Sequence, residues 1–345
     1  MAAKQLSSCA AVKKISINYV RDGLVEEFHT GIIQYGIKGD DLTPYYLRSC
    51  AKPLQASLLI DYDIDFTPKE LAFCSGSHAG EECHVKTAQG ILNKLGLDEK
   101  FLKCGIHPPL SRTMQDKMLL KGEKPSAIHN NCSGKHLGFL AICKKQGWDL
   151  DTYYEPNHPL QIEVKRKIYE LCEIKDNYPM TTDGCGGVNV VLPEIYPRTT
   201  DGCGGVNVVL PEIYPMTTDG CGVPIVSTPL RNLVIGYKNL TEKYPKLVSA
   251  IMNNPYIYGG ENRLDTEIMQ NSEGLIAKVG AGGLCIVYNT KLNEGFAVKM
   301  NDANMEARRF AVIEMLNNLK WAKINLDKSI KTLSGKTVGQ ISVEY

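Results

Sequence analysis

Segments patterned as strands stand at both ends of this chain and segments patterned as helices fill its middle, an order that restricts the available folds more than any single motif. Ile15, Ile17 and Tyr19 alternate with polar residues, Arg21-Asp22-Gly23 breaks the run, and Leu24 to Ile37 resumes it, which predicts an antiparallel hairpin. Near the other end, Gly274 to Val279, Leu284 to Tyr288 and Gly295 to Met300 are short apolar stretches separated by glycine or asparagine turns and read as antiparallel strands. Between them, Ser49 to Ile60 is rich in leucine and alanine and predicts a buried helix, while Val85, Ala88, Ile91, Leu92 and Leu95 predict an amphipathic helix closed by Gly96. The polar cluster His129 to His136 is placed on a loop entering the apolar helix Leu137 to Cys143; Leu160, Val164, Ile168 and Leu171 mark another helix. Thr228 to Ala250 is helical in composition, Asn253 to Asn262 reads as a loop, and Asn301-Asp302 is placed as the cap of a last helix with Met305, Val312, Ile313, Leu316 and Leu319 on one face. The expectation is an α/β (α+β) fold whose two ends meet in one antiparallel sheet flanked by helices.

A length of 345 residues is enough for one large domain, with a sheet lobe at about 10–60 and 225–345 and a helical lobe at about 61–224. Against 39 basic residues stand 38 acidic ones, so nothing in the net charge draws nucleic acid or anionic membranes, and small molecules are the expected partners. No run reaches membrane-span length, and no apolar segment precedes Leu6-Ser7-Ser8-Cys9 as a signal peptide requires. Twelve cysteines in a chain this long do not form the dense framework of a small secreted domain, so a reducing cytoplasm with free or metal-binding thiols is expected.

Chemistry enters at Arg48-Ser49-Cys50-Ala51-Lys52-Pro53-Leu54-Gln55. An amine three residues after a hydroxyl lands on the same face of a first helical turn, where it can take the proton of a serine that is otherwise a weak nucleophile. Pro53 suits a helix start, where a missing N–H does no harm. Late in the chain, Lys278-Val279-Gly280 closes a predicted strand; an early S-x-x-K with a late K-x-G is the order used by β-lactamases and penicillin-binding proteins. A lysine at a strand edge is the plainer reading of Lys278. Ala281-Gly282-Gly283 belongs to no phosphate loop, because no G-x-x-x-x-G-K-[ST] is present.

Cys132-Ser133-Gly134-Lys135-His136 and a set of Asp-Gly-Cys-Gly turns bring thiols from separated stretches. Two thiolates with Lys135 or His136 and a water could hold zinc, although lysine must first lose a proton and structural or free cysteines stay open from spacing alone. Ser77-His78-Ala79-Gly80-Glu81 precedes a helix, where short polar residues either cap it or line a pocket; His78 and His84 lack H-E-x-x-H spacing. His29, His107 and His158 are read as structural or exposed. The tract 178–222 repeats Tyr-Pro-Met/Arg-Thr-Thr-Asp-Gly-Cys-Gly three times with a period of 18, from Tyr178, Tyr196 and Tyr214. Solenoid units run longer and diverge where only packing matters, so the near-identity points to a tandem duplication, with one functional copy and roughly 36 residues of insertion.

Taken together, Arg48 to Gln55, Ser77 to Glu81, His129 to His136, Asp219-Gly220-Cys221-Gly222-Val223-Pro224 and Ala277-Lys278 resemble the L-asparaginase II family, the rhizobial-type or class 3 asparaginases, in order and spacing from about Ile15 to Trp321. The resemblance implies a serine-β-lactamase-like fold, hydrolysis of L-asparagine to L-aspartate and ammonia, and a homodimer. It implies Ser49 as nucleophile, Lys52 and Ser77 as its proton-handling partners and Lys278 close by. It further implies zinc held by Cys132, Lys135 and Cys221, with Arg48, His136 and Asp219 around the substrate. The family has a single Asp-Gly-Cys-Gly turn, so Cys185, Cys203 and Cys221 compete for one place. Cys221 is chosen because only its copy continues as Gly-Val-Pro; Cys185, next to the upstream helix, is the alternative. Other readings are a catalytically impaired zinc-binding or ligand-binding relative, and a different serine acyl-transfer amidase.

Overall fold

The computed structural model describes residues 12–39, 42–174 and 216–345, and the backbone alone of two short strands within the repeat tract. Strand β1 (Val12–Arg21) turns through Asp22 and Gly23, both at positive φ as a two-residue hairpin loop requires, into β2 (Leu24–Tyr35). After β3 (Pro44–Tyr46) come the helices α1 (Lys52–Asp61), α2 (Pro68–Ser75), α3 (Glu82–Leu95), α4 (Arg112–Lys121), α5 (Ser133–Gln146) and α6 (Pro159–Leu171). The tract contributes β4 (Arg198–Thr200), β5 (Val206–Val208) and β6 (Met216–Thr218), followed by β7 (Pro224–Pro229). Helices α7 (Leu230–Lys243), α8 (Pro245–Asn253), α9 (Pro255–Tyr258) and α10 (Leu264–Gln270) lead to β8 (Leu275–Val279), β9 (Leu284–Asn289) and β10 (Glu294–Met300). Helix α11 (Met305–Leu319) then precedes β11 (Ser329–Lys331) and β12 (Thr337–Glu344).

Seven strands form one antiparallel sheet in the order β11-β12-β1-β2-β10-β9-β8, so the two ends of the chain do meet in it. The closing pair is β1 with β12, in register from Ser16 opposite Glu344 to Arg21 opposite Gly339. Strand β9 is buried at every residue, which requires cover on both faces; α7 and α11 both lie against it. Helix α1 is buried from Lys52 to Leu59 and touches α2, α5, α6 and α7. Its Leu54, Leu58 and Leu59 each contribute about 1.5–3 kcal/mol by leaving water, which anchors the residues at its start.

Three local expectations are corrected. The segment Thr228–Ala250 is not one helix: β7 extends through Pro229, and Pro245 separates α7 from α8 because it lacks an N–H and holds Tyr244 out of helical conformation (φ −127°, ψ 53°). The loop at Asn253–Asn262 contains the turn of helix α9. The last helix is capped by Asn304, whose Oδ1 accepts the Ala307 N–H at 2.9 Å, while Asp302 pairs with His29. Among the described residues no helix is long and apolar enough to cross a membrane.

Candidate active site

Strand pairing delivers the first motif. Tyr46 in β3 lies opposite Ser227 in β7, and the Leu47 N–H continues the ladder to Val226 O at 3.1 Å. The chain then reverses at Arg48, a non-glycine residue with φ +47°, into the 3₁₀ turn Arg48–Ala51 that runs directly into α1. A side chain held in the left-handed region stores about 1–3 kcal/mol, sustained here because the surroundings fix the turn. The Cys50 thiol donates to Lys278 O at 3.2 Å, the Tyr237 hydroxyl donates to Cys50 O at 3.0 Å, and a Cβ on Gly280 would lie 3.0 Å from Cys50 Sγ. Ser49 is half-buried on this turn, and Lys52 is fully buried one turn later.

The Lys52 amine donates to Ser77 Oγ at 2.9 Å and to Asn131 O at 3.1 Å. The first bond joins the S-x-x-K motif to the stretch after α2. The second joins it to the residue preceding Cys132. Gly76 permits this approach, since a Cβ there would come within 2.0 Å of Tyr258 O, and Gly134 permits α5 to meet α2, since a Cβ there would lie 2.4 Å from Phe73 O. Lys278, also fully buried, donates to Asp265 Oδ2 at 3.2 Å and to Val279 O at 2.8 Å. Burial pushes the Lys278 amine down to about 8 although Asp265 opposes the shift; burial alone would raise Asp265, but Lys278 and Arg263 hold its carboxyl below the usual range.

The third copy of the repeated turn sits at the tip of the β6–β7 hairpin, where Asp219 N–H donates to Val223 O at 2.8 Å and Gly222 has φ +86°. There Asp219 Oδ1 pairs with Arg48 at 3.1 Å, and Lys135 Nζ donates to Cys221 Sγ at 2.9 Å. Interaction with Cys221 holds the Cys132 thiol well below its ordinary value, and the same interaction with burial raises Cys221. Burial disfavours charge on Lys135, but the two sulfurs outweigh it and raise its amine. Burial pushes His136 down to about 4; its Nδ1 lies 2.6 Å from the Tyr153 hydroxyl. Of the expected residues, Lys52 and Ser77 are hydrogen-bonded with Ser49 one turn before Lys52, Arg48 pairs with Asp219, Lys135 bonds Cys221, and Lys278 is tied to Asp265. Cys185 and Cys203 lie outside the described residues.

Four further participants are given no role by the sequence, although His78 and Asn131 stand in stretches it singles out. Asp265 is a buried carboxylate in an ordinary helix start, Asn131 acts through its carbonyl, and Tyr153 is one of seventeen tyrosines. His78 fastens the Ser77 stretch: it accepts the Gly80 N–H at Nδ1 (3.1 Å) and donates from Nε2 to Ser133 Oγ (2.9 Å), so burial keeps it neutral. Glu81, Cys83 and His84 place three possible metal-ligating atoms together, but His84 is occupied at both nitrogens, by the Glu81 N–H and by Tyr256 O. That group organises the start of α3.

A family model described as L-asparaginase II matches residues 17–194 and 206–343. The match puts the chain among hydrolases that act on amide bonds. It belongs to the L-asparaginase II family. The match runs past Trp321 to the end of β12, a correction to the extent expected from motifs, because the closing strands carry none. Its one internal gap, 195–205, falls within the repeats. No curated protein matches the chain. Similar solved structures include a β-lactamase/D-alanine carboxypeptidase from Pseudomonas syringae (12% identity, 94% of this chain, 98% of that one, TM-score 0.36). The hydrolase EstCE1, described as having promiscuous acyltransferase activity, gives 12%, 92%, 96% and 0.40; the D-alanine carboxypeptidase AmpC from Burkholderia cenocepacia gives 15%, 92%, 98% and 0.35. Family membership rests on the sequence match, and the low scores of these structures add nothing about the site.

Proposed function

We propose that the chain is an L-asparagine amidohydrolase with a serine nucleophile. The carrying observation is the buried Lys52 amine, one helical turn from Ser49 and 2.9 Å from Ser77 Oγ. Ser49 Oγ attacks the side-chain amide carbon while the Lys52 amine takes its proton, and the backbone N–H of Ser49 at the helix start faces the developing oxyanion. As the C–N bond breaks, the Lys52–Ser77 pair returns the proton to the nitrogen, which leaves as ammonia. Water then cleaves the β-aspartyl ester and Ser49 regains its hydrogen. Arg48 and Asp219 present adjacent charges of opposite sign, which suits the α-carboxylate and α-ammonium of an amino acid.

Zinc is part of the same reading. The Lys135 amine lies 2.9 Å from the buried Cys221 sulfur, and with the buried Cys132 thiol it offers a donor set suited to a thiophilic cation; His136 Nε2 is a buried polar atom with no hydrogen-bond partner among the described residues. Cys132, Lys135 and Cys221 would hold the ion, which would supply a cationic Lewis acid for the amino-acid end of the substrate. A homodimer and a cytoplasmic location complete the proposal; sedimentation velocity of the purified chain tests the first. Ser49→Ala is expected to lower ammonia release on the order of ten-thousandfold while leaving zinc content and unfolding midpoint unchanged. Near-native activity in that variant removes Ser49 as nucleophile, and mass spectrometry of quenched reactions separates an acyl-enzyme route from direct attack by water.

A further inference from the structure

We propose that Glu81 is a positioning residue of the reaction, whose carboxylate locks the chain around Lys278 to the Ser77 stretch and so fixes where the two buried lysines stand relative to each other. The inference rests on the amidohydrolase reading above and gives a role to the last residue of the Ser77–Glu81 motif, which that reading leaves without one. Each lysine has its own holder. Lys52 is held by Ser77 Oγ at 2.9 Å, on the stretch that follows α2. Lys278 is held by segment 256–265: it donates to Asp265 Oδ2 at 3.2 Å, and its Nζ stands over the Tyr258 ring, 5.4 Å from the centroid. An ammonium over an aromatic face is drawn to it electrostatically, so ring and carboxylate together set the direction of the amine. Ser77, Tyr258 and Asp265 are all fully buried.

The two holders are far apart in the chain, and Glu81 joins them. Its Oε1 accepts the Glu261 N–H at 2.9 Å, and its Oε2 accepts the Tyr256 hydroxyl. Its own N–H donates to His84 Nδ1 at 3.0 Å, which leaves the His84 hydrogen on Nε2 to reach Tyr256 O at 3.0 Å. Tyr256 and Glu261 flank Tyr258 and the Gly259-Gly260 pair, so the segment is fastened on either side of the residue whose ring lies under Lys278. The surfaces beneath these bonds are in close contact. A Cβ on Gly260 (φ +113°) would lie 2.6 Å from Ala79 Cβ and 2.7 Å from Glu81 Oε1, and the Gly76 backbone rests on Tyr258 O. A carboxylate suits this place because it accepts at both oxygens, whereas an apolar side chain would leave the Glu261 N–H and the Tyr256 hydroxyl without their partner. Release of the Glu81 bonds therefore loosens the chain that aims Lys278 from the chain that aims Lys52.

The test uses the full chain and separates rate from binding. Glu81→Ala removes both accepted hydrogen bonds, and Tyr256→Phe removes one while leaving the start of α3 intact. Glu81→Gln keeps an oxygen for the Glu261 N–H and offers its amide N–H to the Tyr256 oxygen. A misplacement on the order of 1 Å at reacting groups costs about 100-fold in rate. For ammonia release from L-asparagine, kcat is expected to fall about 100-fold in Glu81→Ala and about 10-fold in Tyr256→Phe, with KM within about threefold of wild type. Glu81→Gln should return kcat to within about threefold of wild type, a rescue that a general loss of stability does not produce. The double variant should be no slower than Glu81→Ala, since both changes act through one contact. All rates are taken well below each unfolding midpoint. Amide hydrogen exchange in peptides covering 256–263 should quicken in Glu81→Ala and not in Glu81→Gln, a readout independent of turnover. A wild type that releases no ammonia from L-asparagine overturns the amidohydrolase reading and this inference with it. In an active wild type, a native kcat in Glu81→Ala, a loss confined to KM, or a Glu81→Gln as slow as Glu81→Ala overturns this inference alone.

Discussion

At the scale of the residue, a buried amine keeps its charge only where a neighbour answers it, and Lys278 shows both sides of that balance. Its burial disfavours the ammonium strongly enough to bring the group down to about 8, while Asp265 at 3.2 Å keeps the displacement from being larger. The unfolded chain holds the proton up to the ordinary lysine value of 10.5, so between about 8 and 10.5 the unfolded state binds more protons than the folded one. The penalty is present in full below pH 8 and is relieved as pH rises through that window, by about 3 kcal/mol for the whole gap. Lys278→Met should lower stability by about 3–5 kcal/mol, because it removes the ion-pair partner of the buried Asp265, and adding Asp265→Asn should recover most of the loss. Urea midpoints near neutrality check the magnitudes. The same measurement toward pH 10 checks the sign, since the gap between wild type and Lys278→Met should widen. Nothing in Arg263-Leu264-Asp265-Thr266 marks the aspartate as that partner, whereas the lysine before Val279-Gly280 stood out at once. The pairing spans a helix and a strand, and only their packing brings the two charges together.

At the scale of the element, the site depends on how closely backbones approach. Helix α5 can place Lys135 beside Cys221 because Gly134 lets it lie against the Phe73 carbonyl of α2. Gly134→Ala should cost about 1–3 kcal/mol by overpacking and weaken activity by more than the stability change explains, as kcat measured well below the unfolding transition will show. The repeated tract poses the opposite question, of how much can be removed. The copy beginning at Tyr214 alone supplies the Asp219–Arg48 and Cys221–Lys135 contacts among the described residues. Deleting residues 178–213 joins Asn177 to an identical Tyr-Pro-Met, and the shortened chain is expected to keep its unfolding midpoint and its ammonia release within about threefold. A large loss in either would show that the extra units take part. Element positions were mostly legible from periodicity. The division of Thr228–Ala250 at Pro245 was visible in the residue itself, although helical composition on either side concealed it.

At the scale of the whole molecule, the closing contact is the pairing of β1 with β12, residues more than 300 positions apart. Removing Thr337–Tyr345 would leave β1 an open edge and uncover Ile341's place over the core, so the truncated chain is expected to lose soluble yield and cooperative unfolding, as gel filtration and urea titration of the recovered fraction would report. The sequence by itself determined that strands from both ends share a sheet, that α1 is buried, and which motifs stand together, because alternation, helical spacing and residue chemistry are local properties. It could not decide what each motif would touch. The bond from Lys52 to Ser77, the burial of Lys278 against Asp265, the reach of Cys221 to Lys135 and the Tyr153 support of His136 all cross between elements. Such contacts depend on distances of a few tenths of an ångström between surfaces far apart in the chain, and those distances exist only once the core has packed.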